Sequence, residues 1–201
     1  MRVFSKIISY LFHPLFIPIA GTMVYFIITP KYSSLEIQSG NVLPIFILTV
    51  IIPIIAYFIL RNLGIVSSVF MPSLAERKYP MYIHISLLIL ILYKVIPNNY
   101  ITELYFFFVG LIGAAFASLF LLFFNYKASL HMVGAGGLFM YLVSLSIHFE
   151  TNVIMPISLF TLIIGVVATS RLYLRAHTKP ELLIGLFIGL ISQLLTVKFW
   201  L

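Results

Sequence analysis

The chain contains no cysteine and no aspartate, and its acidic residues are five glutamates. The first absence excludes disulfides, thiolate nucleophiles and thiolate metal sites, and with them any reading of redox compartment. Charge of either sign is scarce: 8% of residues are charged, against about 25% in ordinary soluble domains. Apolar residues fill the gap, at 62% of the chain and a mean hydropathy of +1.16. This composition belongs to an integral membrane protein whose main partner is the lipid bilayer. The net charge of +7 is dispersed along the chain. That does not suit a nucleic-acid reader; it suits anionic headgroups or a phosphate-bearing substrate. At roughly 20 residues per span, the 201 residues are expected to form one membrane domain, 1–201, an all-α transmembrane bundle of six to seven spans.

Apolar runs lie near Ile8–Ile28, Leu43–Leu63, Met81–Ile96, Ile101–Phe124, Val133–Ile147, Asn152–Thr169 and Leu182–Trp200. They are apolar on every face, as helices surrounded by lipid or by other helices are. The first run offers only Ala20-Gly21, deep inside it, as a small-residue cleavage site, so a retained helix is expected. Pro30–Ser34, Pro97-Asn98-Asn99 and Phe149–Asn152 read as plain turns. The other connections are polar: Pro72–Pro80, Asn125–His131 and Arg171–Glu181. Alternating crossings put these three on one side of the membrane, where segments distant in sequence can share one site.

The densest polar stretch is Ser170-Arg171-Leu172-Tyr173-Leu174-Arg175-Ala176-His177-Thr178-Lys179-Pro180-Glu181. Ionisable groups at a membrane segment's end are costly unless hydrated or paired, which makes this a candidate site. Ala128-Ser129-Leu130-His131 is the second candidate, because Ser129 can open a helix whose free N–H groups favour an anion. An imidazole at a helix start, as at His131, has no obvious local partner and opposes the dipole.

The order Ser-Arg, five residues, His, three residues, acid resembles the third motif of the type-2 phosphatidic acid phosphatase family, with Glu181 where that family has Asp. Ser129 and His131 resemble its second motif, Pro-Ser-Gly-His. The first motif, Lys, six residues, Arg-Pro, is matched weakly: Pro72 and Tyr79 take the Lys and Arg places before Pro80, leaving Arg77 and Lys78 as nearby cations. The resemblance covers about Ser73 to Leu182. It implies dephosphorylation of a membrane lipid phosphate or diphosphate without metal or other cofactor. His177 would be the nucleophile, Glu181 would orient it, and His131 would protonate the leaving alcohol and then activate water. Arg171, Arg77, Lys127, Ser129 and Lys78 would hold the phosphate.

Several of these residues also have simpler readings. Thr178–Glu181 and Ser73–Glu76 both have capping-box spacing, so Glu181 and Glu76 fit helix caps, the latter of a small interfacial helix. Ser129 fits a cap as well. Arg175 and Lys179 suit headgroup contact. His13 and His84 read either as cavity-lining residues or as packing histidines. Gly185, Gly189, Gly110, Gly113, Ala114 and Ala117 suit helix contacts. No His-x-x-x-His or Glu-x-x-His pair suggests a metal. A transporter remains the competing function, although the charges gather at one end of the bundle and not at its middle. An inactive phospholipid-binding protein is a third reading, because the first motif is altered. Lys and Arg are expected mostly on the motif side, which the positive-inside rule makes cytoplasmic, in a bacterial inner membrane.

Overall fold

The computed structural model describes residues 1–68, 71, 73–96 and 101–201. All regular structure among them is helical, and six helices are long and apolar enough to cross a membrane. The chain is an all-α membrane helix bundle. In order it forms α1 (Arg2–Leu11), a 3-10 turn (Pro14–Phe16), α2 (Ile17–Ile28), α3 (Leu35–Phe46), a π turn (Ile47–Ile51), α4 (Ile52–Asn62), α5 (Leu74–Lys94), α6 (Thr102–Phe123), α7 (Leu130–His148), α8 (Ile154–Tyr173) and α9 (Lys179–Val197). α1 and α2 together make the first span, and α3 and α4 the second. α5 packs along α6, with Glu76, Arg77 and Lys78 in its first turns.

The boundaries correct the sequence reading in three places. The first span is broken: α1 ends at Leu11, and Pro14, which has no N–H, opens the 3-10 turn. The second starts at Leu35 and not near Leu43, because the polar side chains of Ser39 and Asn41 bond back to the Glu36 and Ile37 carbonyls. The cap of Ser73 on Glu76 is formed, yet no separate interfacial helix results, since α5 runs on through Pro80. Pro72 and Pro97-Asn98-Asn99 lie outside the described residues.

α7 is the central and most buried span, against α2, α6, α8 and α9. Its glycines let neighbours approach to backbone distance. A Cβ on Gly136 would meet the Leu186 carbonyl oxygen at 2.5 Å, and one on Gly189 of α9 would meet the Val133 carbonyl oxygen at 2.1 Å. Gly185 faces the backbone of Ser129 in the same way. This seam agrees with the small-residue contact expected of α9; Gly113 differs, having nothing within 4 Å. The apolar core centres on Phe107, Phe108, Leu138 and Tyr141, with the rings of Phe107 and Tyr141 stacked 4.3 Å apart.

Helices α4, α6, α7 and α8 end in the same way. A residue at positive φ (Gly64, Asn125, Glu150, Arg175) donates three residues back, and its successor donates five residues back, which is the Schellman pattern. Three of these ends, after α4, α6 and α8, launch the polar connections.

Candidate active site

At the end of α8 the Ala176 N–H bonds to the Arg171 carbonyl at 3.1 Å, with Arg175 at φ +51°. The chain turns back, placing His177 just before α9. Pro180 sits in the first turn of α9, where its missing N–H is no loss. Glu181 lies one helical turn beyond His177, and His177 Nδ1 is 2.8 Å from Glu181 Oε2. The same oxygen accepts the Thr178 N–H at 3.2 Å, so the carboxylate is both cap and imidazole partner. Lys127 Nζ stands 3.8 Å from it.

A carboxylate can only accept, so the His177 proton resides on Nδ1 and Nε2 presents a lone pair. The His177 side chain is 4% exposed. Burial pulls its pKa well below the ordinary 6.5, partly opposed by the Glu181 bond, and the ring is neutral at neutral pH. It is an oriented, uncharged imidazole with one free nitrogen.

His131 is fixed from another direction. Its Nε2 is 3.0 Å from the Ser9 carbonyl oxygen, which is available because α1 is broken: the His13 N–H turns to the Tyr10 carbonyl at 3.3 Å instead. A carbonyl also only accepts, so His131 carries its proton on Nε2 and leaves Nδ1 open. Ser129 stands at the start of α7, but its hydroxyl makes no cap bond, contrary to the simple reading of it as a cap. That hydroxyl is buried without a partner among the described residues. The Ser129 N–H instead bonds to the Glu181 carbonyl at 3.1 Å, tying the second polar segment to the third by backbone alone.

Two guanidiniums complete the cluster. Arg171, in the last turn of α8, is within electrostatic reach of His13, His131, His177 and Arg77, and its Nε is buried without an acceptor among the described residues. Arg77 donates from Nε to the Met71 carbonyl at 3.0 Å and lies within reach of Glu181. The structure therefore brings His177, Glu181, His131, Ser129, Arg171, Arg77 and Lys127 together at one end of the bundle. Lys78 departs from expectation: its Nζ lies 4.5 Å over the Phe123 ring, a cation–π contact on the flank of α6. Two arginines, a lysine and imidazoles gather around Glu181, with Glu76 also within reach of Arg77, and make a site with an excess of donors, suited to an oxyanion. Among the described residues no three of His, Cys, Asp or Glu are arranged to hold a metal.

Two features of the structure carry little signal in the sequence. One is the Ser9 carbonyl, a backbone group with no signature of its own; the readable signal was His13-Pro14 in the middle of an apolar run. The other lies at the opposite end of the bundle, where buried Glu103 pairs with Lys31, has His148 Nε2 at 3.2 Å and accepts from the Tyr25 hydroxyl at 3.4 Å. An acid inside an apolar run was its signal.

No family model, curated protein or solved structure matches this chain.

Proposed function

We propose that this chain is a membrane phosphatase that removes the terminal phosphate of a lipid phosphate or diphosphate through a phosphohistidine on His177. The observation that carries the reading is the His177–Glu181 bond at 2.8 Å, which leaves Nε2 free beside Arg171 and Arg77. In the first step the Nε2 lone pair attacks phosphorus and the bond to the lipid oxygen breaks. The substrate binds as its monoanion; its acidic proton passes to the open Nδ1 of His131 and from there to the departing oxygen, and the lipid alcohol leaves with His131 neutral again. In the second step Nδ1 of His131 takes a proton from water, the hydroxide attacks phosphorus, and the P–N bond breaks to release inorganic phosphate. Arg171 and Arg77 offset charge on the equatorial oxygens, where planar guanidinium forks match phosphate geometry.

The resemblance to the type-2 phosphatidic acid phosphatases supports the same chemistry through Ser170, Arg171, His177, Ser129 and His131. We place the protein in a bacterial cytoplasmic membrane with the site on the inner side, on the basis of the Lys and Arg distribution. The test is phosphate release from a panel of lipid phosphates and diphosphates by purified protein, with acid-labile phosphoprotein measured in parallel. Vanadate-sensitive release is expected. Binding of these lipids with no release by any of them would favour an inactive phospholipid-binding protein.

A further inference from the structure

The break in the first span does more than free the Ser9 carbonyl. His13 opens the 3-10 turn, and its Nδ1 accepts the Leu15 N–H at 3.3 Å. A neutral imidazole that accepts at Nδ1 carries its proton on Nε2. Among the described residues, that Nε2–H has no hydrogen-bond acceptor. The ring stands edge-on to His131, with centroids 5.5 Å apart at 78°, and within electrostatic reach of Arg171 and His84. It therefore belongs to the polar cluster and not to the apolar core of the bundle.

Spare donors rarely gather inside a protein, because a buried group without a partner has given up its water and gained no bond in return. Among the described residues, the Arg171 Nε and the Ser129 hydroxyl are buried and without partners, and the His13 Nε2–H adds a third donor with no acceptor. The three come from the first span, the end of α8 and the start of α7. A tetrahedral oxyanion presents several acceptor oxygens, which is what this set of donors lacks. The geometry points to His13 as a substrate-binding residue that donates from Nε2 to a phosphoryl oxygen, so that the first span supplies part of the site. This inference rests on the phosphatase reading.

Two substitutions separate the cap from the donor. His13→Asn puts an amide oxygen where Nδ1 accepts the Leu15 N–H, and removes the reach of Nε2. His13→Gln puts an amide N–H near Nε2, and gives up the cap. If His13 binds substrate, His13→Asn raises the inhibition constant of inorganic phosphate and the KM of a lipid phosphate by about ten- to a hundredfold. Thermal stability and kcat change far less, and His13→Gln recovers most of the affinity. If His13 is only a cap, His13→Asn matches wild type in phosphate affinity while His13→Gln melts earlier, and the inference is overturned. Wild-type protein offers a check that needs no variant to be active. With 15N-histidine labelling, inorganic phosphate should shift the His13 Nε2 signal, assigned by its absence from His13→Gln; an unmoved signal would count against the inference. Failure of wild type both to release and to bind phosphate would overturn the phosphatase reading itself, an outcome distinct from a normal wild type with a normal His13→Asn.

Discussion

His177 and Glu181 meet across the first turn of α9, Nδ1 to Oε2 at 2.8 Å, and the same carboxylate oxygen caps the helix through Thr178. Glu181→Gln tests whether the imidazole needs the charge or the helix needs only the cap. A Gln keeps an acceptor for the Thr178 N–H, but its amide can also donate to Nδ1 and hold the wrong tautomer. Turnover should fall by about a hundredfold or more, with helix content retained. The pH profile gives a second reading. Burial lowers the His177 pKa and the Glu181 bond opposes this, so the acid limb of kcat/KM is expected below 6.5 in wild type and further to acid in Glu181→Gln. Stability follows the same sign. The unfolded ring takes up a proton near 6.5 and the folded ring does not, so stability declines as pH falls through 6.5 toward the lower folded value.

His177→Ala should abolish both phosphate release and phosphoprotein while leaving a folded protein, because the space left by its buried ring is lined by polar groups that water can satisfy and lies outside the apolar core. His131→Ala should differ in kind. With a substrate whose leaving group needs no proton, attack by His177 can proceed while water activation cannot, so phosphoenzyme should accumulate. Wild-type turnover by His177→Ala would end the mechanism.

Gly189 and Gly113 predict opposite responses to one added methyl group. A Cβ on Gly189 meets backbone atoms of Val133 and Gly137 at 2.1 and 2.6 Å, which cannot move independently of α7. Gly189→Ala should cost about 3 kcal/mol or more. Gly113 has open space around it, and Gly113→Ala should be neutral or gain up to about 1 kcal/mol from helix propensity. Thermal unfolding in detergent distinguishes them.

Glu103→Ala should destabilise the bundle by about 1–2 kcal/mol, by stranding the buried Tyr25 hydroxyl and His148, while the half-exposed Lys31 turns to solvent. The cluster lies at the end of the bundle away from His177. Phosphoenzyme yield per folded molecule should therefore match wild type, and a large loss per folded molecule would show that the two ends are coupled.

Sidedness can be read by labelling, since the chain has no cysteine of its own. Ser34→Cys should react with an impermeant reagent in intact cells, and Arg175→Cys only after lysis. The reverse pattern would place the site outside the cytoplasm.

The apolar runs were legible as helices because lipid demands internally satisfied backbone, and the polar segments stood out against them. Helix ends were less legible. Asn41 and Ser39 look like loop residues until their side chains are seen bonding to carbonyls one turn back. Gly64 announced its helix end, and Asn125 hinted at one, whereas Glu150 and Arg175 adopt the same left-handed turn without a residue type that favours it. Within the candidate site, the pairing of His177 with Glu181 was what the family resemblance implied, while the residues alone gave a capping box at Thr178–Glu181. His131 with Ser9 was hidden, because the acceptor is a carbonyl exposed by a break and not a side chain.

The seam between α7 and α9 also constrains how anything reaches the site. Its two walls touch through main-chain atoms at Gly185 and Gly189, and the Ser129–Glu181 backbone bond closes its polar end. Where main chain meets main chain, no side-chain rotation can part the walls, so the seam does not act as a door. A headgroup arriving from the bilayer must pass between elements held by side chains, such as α1, α5 or α8, and inhibitors that wedge the bundle open should be sought along those edges.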